Sequence, residues 1–158
     1  MFEYHLEHLC SYTATLDPNI EVIGPTPDGF RMHYYVTGGE VTGPKVRGKI
    51  RPVGADWFTL RRDGVGVLDV RATIETEDGA LIYVSYRGIT DVGEGAYEKI
   101  LQGEFPAGSG VIHTSPVFRT SHPSYQWLHR IHCVGVGQSF LERMEVAYDI
   151  YAVRAGRG

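Results

Sequence analysis

The chain has 158 residues, 42% of them hydrophobic, and a formal net charge of −4 with both signs interspersed. That is enough apolar material for one core, so disorder is excluded and a single domain over residues 1–158 is expected. The dispersed, slightly acidic charge lacks the basic footprint of a nucleic-acid binder, and no run approaches the roughly 18 apolar residues of a membrane span.

The start MFEYHLEHLC has no charged-then-apolar secretion pattern, which makes cytoplasmic the expected localisation. Cys10 and Cys133, far apart and without a CxxC partner, read as buried thiols rather than a bridge or a metal site. The 20 glycines suit many short strands and turns.

Along the chain, residues 2–16 mix helix and strand periodicities, with Ser11-Tyr12-Thr13-Ala14-Thr15 leaning to strand. A turn at Asp17-Pro18-Asn19 precedes a short strand over 20–23, and Gly24 to Gly29 reads as a loop by composition. Residues 30–37 form a strand entering Gly38-Gly39. A further strand over 45–52 sets Lys45, Arg47, Lys49 and Arg51 on one face. An exposed side is the simplest reading of those four; an acidic ligand or partner is the sharper one.

The stretch from Gly54 to Gly88 reads as three strands joined at Arg62-Asp63-Gly64 and Glu77-Asp78-Gly79. Asp-Gly between alternating runs is a strong hairpin signal. With three-residue bulged turns, Ile74 faces Ile82, Ala72 faces Val84 and Val70 faces Tyr86. Phe58 then faces Leu68, and Asp56 faces Val70. One face carries Phe58, Leu60, Leu68, Val70, Ala72, Ile74, Ile82 and Val84; the other carries Trp57, Asp69, Arg71, Thr73, Tyr83, Ser85 and Arg87. A two-residue loop would mix the sets, so the bulged register is preferred.

Beyond Thr90, residues 95–101 suit one or two helical turns stopped by Gly103, followed by a loop over 105–110. A strand over 111–120 is expected to break near Pro116. Ser121 is placed to cap a turn opening at His122-Pro123, and strands follow over 131–137 and 144–153. About nine or ten hairpin-connected strands imply an antiparallel meander, and closure into a barrel removes its edges, with a sandwich as the alternative.

The landmarks Val36-Thr37-Gly38-Gly39, Gly54-Ala55-Asp56-Trp57, Leu68-Asp69-Val70-Arg71, Asp78-Gly79-Ala80-Leu81-Ile82-Tyr83, Tyr86-Arg87-Gly88, Trp127-Leu128 and Val134-Gly135-Val136-Gly137, in that order, resemble the domain of unknown function 3237 family over nearly the whole chain. The resemblance implies an all-β, closed antiparallel barrel similar to the calycin and allene-oxide-cyclase type, assembling as a homodimer. The chain departs from the family pattern at His129, where Asn is usual, and at His113, where Arg is common.

Asp69, Arg71 and Arg87 form the leading polar constellation. It is either a cross-strand ion pair or a lumen wall in which Asp69 acts as base or anchor and an arginine grips an oxygen. Trp57 and Tyr83 are either core aromatics or walls that stack on a flat ligand, the Tyr83 hydroxyl donating to a carbonyl. Tyr125 and Trp127 are packing or pocket residues, and His129 is a candidate proton donor. His129 and His132 fall on opposite faces of a strand, so no metal site is expected.

No phosphate loop, nucleotide fingerprint, serine elbow or cysteine nucleophile motif is present, so no cofactor is expected. The expected function is a cofactor-independent isomerase, cyclase or lyase. It would act on a phenolic or carbonyl compound, with Asp69, Arg71 and Tyr83 catalytic and Trp57, Arg87, Tyr125, Trp127 and His129 binding. A non-catalytic small-molecule-binding barrel and a structural dimer module are the alternatives; no nucleic-acid or membrane partner is expected.

Overall fold

Alternation of apolar and polar residues, interrupted at glycines, builds nine strands in a computed structural model that describes residues 2–158. They are β1 (Tyr4–Leu16), β2 (Glu21–Thr26), β3 (Gly29–Thr42), β4 (Gly48–Leu60), β5 (Val65–Thr76), β6 (Leu81–Asp91), β7 (Ser109–Arg119), β8 (Cys133–Phe140) and β9 (Glu145–Ala155). One short helix, α1 (Ala96–Leu101), and a 3-10 helix over Pro123–Arg130 fill the two longest connections. No described helix is long and apolar enough to cross a membrane.

The sheet runs β1-β9-β8-β7-β6-β5-β4-β3-β2, and a further β1–β3 pairing closes it. Eight antiparallel strands therefore make a barrel. The extra strand, β2, continues the line of β1 along the same edge of β3: Ser11 to Leu16 pair with residues up to Thr42, and Glu21 to Thr26 pair with Gly29 to His33. The sandwich alternative does not hold.

Both hairpins adopt the bulged register. Asp69 pairs with Arg87, Val70 with Tyr86, Thr73 with Tyr83 and Ile74 with Ile82; Asp56 pairs with Val70 and Thr59 with Val67. Each turn closes alike: Gly64 N–H donates to Arg61 O at 3.1 Å and Gly79 N–H to Thr76 O at 2.9 Å. Gly64 and Gly79 adopt φ of +83° and +86°, the left-handed region that a Cβ disfavours.

Several expected boundaries move. Gly24-Pro25-Thr26 belongs to β2 rather than a loop, because the strand pairs with β3 as far as Thr26↔Gly29. The expected strands over 45–52 and from Gly54 are one strand, β4, with a register shift between Ile50 and Gly54. Pro116 does not break β7. It lies beyond the last β7–β8 pair, Thr114↔Gly135, where one edge of the strand is unpaired and tolerates a missing N–H. The 3-10 helix is capped by His122, whose Nδ1 accepts from Ser124 N–H at 3.3 Å, instead of Ser121.

One end of the barrel is packed solid. Leu128 of the 3-10 helix is buried in the core with Leu9, Ile82, Phe118, Cys133 and Ile150. Cys10 and Cys133 are both buried free thiols, and burial pushes them up to about 12 and about 11. The other end is rimmed by the β6–β7 and β8–β9 connections and stays partly open.

The two turn glycines differ in their surroundings. A Cβ on Gly79 meets nothing within 4 Å, whereas one on Gly64 falls 2.0 Å from the Gly93 carbonyl oxygen. Gly79→Ala is expected to cost about 1–2 kcal/mol from backbone strain alone. Gly64→Ala should cost at least about 1 kcal/mol more, because the docked β6–β7 connection must also move. Urea unfolding of both variants checks this; equal losses would contradict the turn geometry.

Candidate functional site

Strand alternation in a closed barrel sends every second side chain into the lumen. Here the inward set is the aliphatic one. Phe58, Leu68, Val70, Ala72, Ile74 and Val84 line a cavity of about 150 Å³, joined by Tyr12, Tyr34, Tyr86 and Tyr148. Val92, the Pro106–Gly110 loop and Leu141 frame its mouth.

Asp56 stands in this lining. It shares the parity of Phe58 on β4 and lies in one cross-strand row with Tyr34, Val70 and Tyr86. The β4–β5 pairing skips Trp57 and Phe58. At that gap the Asp69 N–H donates to Asp56 Oδ1 at 3.0 Å, in place of a ladder bond to a carbonyl. Asp56 is half-buried and lines the cavity. Burial pushes its carboxyl up to about 7; the Asp69 N–H opposes this and the Asp69 charge adds to it.

The tyrosines respond to the same environment. Burial holds the Tyr12, Tyr86 and Tyr148 hydroxyls well above their ordinary value, and the Asp56 charge adds to this at each of them, while the tyrosines act on one another in both directions. Burial and then Asp56 push Tyr34 up to about 12. The Tyr148 ring packs 5.0 Å from that of Tyr12 and 5.7 Å from that of Tyr86. One carboxyl that exchanges a proton near neutrality thus sits among phenols that remain neutral donors. That is the equipment of general acid–base chemistry on an oxygen-bearing, largely apolar ligand.

The polar constellation expected from the sequence does assemble, but on the outside. Arg71 Nη1 lies 3.1 Å from Asp69 Oδ1 and Arg87 Nη2 3.9 Å from Asp69 Oδ2. The Arg71 guanidinium stacks 5.1 Å from the Trp57 ring centre. Yet the Arg87 side chain is 81% exposed and Tyr83 43%, and none of Trp57, Asp69, Arg71, Tyr83 and Arg87 lines the cavity. The expectation of a lumen wall built from them is corrected: barrel closure puts the aliphatic face inside, because only that face is cheap to desolvate.

Tyr125, Trp127 and His129 also lie away from the lumen. Tyr125 donates to Asp78 Oδ1 at 2.8 Å, pinning the 3-10 helix to the β5–β6 turn, and Trp127 packs on the core. The exposed His129 accepts from Thr120 N–H through Nε2 at 3.0 Å, and His113 is on the outer surface. Lys45, Arg47, Lys49 and Arg51 are exposed and each is paired, with Glu7, Glu77, Glu75 and Glu75 respectively.

Asp56 is the candidate residue that sequence reasoning passed over. Its signal was present as the one carboxylate in an otherwise aliphatic face. Folding holds a proton on Asp56 that the unfolded chain releases, so stability falls as pH rises from about 4 to 7 and the penalty is complete above 7. Its full size is about 4 kcal/mol. Asp56→Asn keeps an acceptor for the Asp69 N–H and escapes the penalty. Its melting-temperature advantage over wild type should therefore grow between pH 4 and 7 and level off by pH 8. A gap independent of pH, or a wild type more stable at pH 8, would contradict the assignment.

The chain is similar to known proteins along its length. It is 35% identical over 132 residues to a UPF0311 protein of Rhodopseudomonas palustris, covering 82% of this chain and 84% of that one. The crystal structure of a β-barrel-like protein from Acinetobacter baumannii superposes with a TM-score of 0.82 at 30% identity, covering 96% and 97% of the two chains. A structure described as an enzyme from Penicillium herquei shares the fold at 22% identity, with a TM-score of 0.66 and 96% and 95% coverage. Residues 4–153 match the family described as protein of unknown function DUF3237, and the chain belongs to that family.

Proposed function

We propose that the barrel is a cofactor-independent acid–base enzyme, an isomerase, cyclase or lyase, acting on a small carbonyl- or phenol-bearing compound in its lumen. The observation that carries this reading is Asp56: one carboxyl, pushed up to about 7, inside an apolar cavity lined by four tyrosines. As a carboxylate it takes a proton from the carbon next to a carbonyl, and the electron pair of that C–H bond delocalises onto the carbonyl oxygen. A tyrosine hydroxyl donates to the developing oxyanion. Asp56 then returns the proton to the same carbon or, for an isomerisation, to another. A pKa near the working pH suits both halves of the cycle.

Water exclusion supports the same chemistry. The aliphatic lining lowers the local dielectric, which strengthens the hydrogen bond to the oxyanion. The outer Asp69 contributes through its backbone N–H, which orients Asp56. A non-catalytic binding barrel is the second reading, favoured by the apolar character of the same cavity.

The test uses cyclohex-3-enone in deuterated buffer, with isomerisation and α-deuterium incorporation followed by NMR. Wild type is expected to accelerate both, with a rate that rises through an inflection near pH 7. Asp56→Asn should lose at least about 100-fold. Equal rates for wild type and Asp56→Asn, or a large loss in Arg71→Ala with none in Asp56→Asn, would contradict the reading.

A further inference from the structure

Two side-chain oxygens among the described residues are buried without a hydrogen-bond partner, Tyr12 Oη and Thr114 Oγ1. Thr114 is packed against Gly135 and does not line the cavity. Tyr12 does line it, with only 7% of its surface accessible. A buried hydroxyl left unpaired is destabilising, and such a group in a native fold calls for an explanation. In a cavity, a ligand atom can complete the bond.

The charge of the lining says which atom. Asp56 contributes a carboxyl, the exposed Asp91 stands at the mouth, and among the described residues no lysine, arginine or histidine lines the cavity. A ligand carboxylate or phosphate would enter a low-dielectric space with like charges and no counter-ion. A neutral carbonyl meets no such penalty. Tyr12, held well above its ordinary ionisation range by burial, stays a donor at any physiological pH. The volume of about 150 Å³ is of the size that accommodates a single benzene ring.

We infer that Tyr12 is a ligand-binding residue whose hydroxyl donates to the uncharged carbonyl oxygen of a single-ring compound, and that the lumen rejects carboxylates of the same shape. This rests on the lumen being a small-molecule site and not on catalysis by Asp56. Isothermal titration of the full chain at pH 8 with acetophenone, toluene and benzoate tests it. Acetophenone should bind at least about tenfold more tightly than benzoate. Tyr12→Phe should weaken acetophenone by about tenfold and leave toluene within about twofold, since only one hydrogen bond is removed.

Equal weakening of acetophenone and toluene would reduce Tyr12 to packing and overturn the inference. So would an unchanged acetophenone affinity, or benzoate binding as tightly as acetophenone. Failure of all three compounds to bind would overturn the small-molecule reading of the lumen along with it. Discrimination among the probes, beside undiminished turnover by Asp56→Asn, would sustain this inference and remove only the catalytic one.

Discussion

A side chain on a strand of a closed barrel has two destinations, the lumen or the outer surface, and parity along the strand decides between them. In this chain the bulged corners at Gly64 and Gly79 set that parity for three consecutive strands. A shift of one residue in either corner would mix the two faces by turning over the strands beyond it. At the Gly79 corner, Ile82 and Val84 would then meet water, and Tyr83 and Arg87 the lumen. The aliphatic face is the one whose burial is favourable, at about 25 cal/mol per Å², so closure admits one orientation. Asp56 travels inward with that face, because it shares a parity with Phe58 and Leu60.

Much of this was legible in the sequence because it depends on local pattern. The two Asp-Gly turns fix the hairpin register; the alternation around them sorts the residues into two sets; the run of hairpins points to a meander that closes. Which set looks inward is a property of the closed object. Trp57 and Tyr83 among opposed charges suggested a ligand-facing wall. A barrel instead desolvates its aliphatic set and leaves Asp69, Arg71 and Arg87 to pair in water. Their cross-strand contacts are weak supports of the sheet.

The remaining elements of the site were illegible for a different reason. Tyr12, Tyr34, Tyr86 and Tyr148 come from β1, β3, β6 and β9, and only closure of β1 on β3 and β9 brings their rings around one carboxyl. No spacing in the chain announces such a cluster. Asp56 was visible as an anomaly, a carboxylate in an aliphatic register, and the structure gives that anomaly a physical reading. The Asp69 amide that anchors it shows the two faces acting on each other: the residue with its carboxylate in water orients the one inside through its backbone.

The chemistry of the site depends on an apolar lumen that holds a carboxyl able to exchange its proton near neutrality. Carbon-13 NMR titration of the Asp56 side-chain carboxyl measures this directly. The expected midpoint is about 7. A midpoint near that of an ordinary aspartate, about 4, would contradict it, because it would mean that water reaches Asp56 freely and that the lumen does not enclose it.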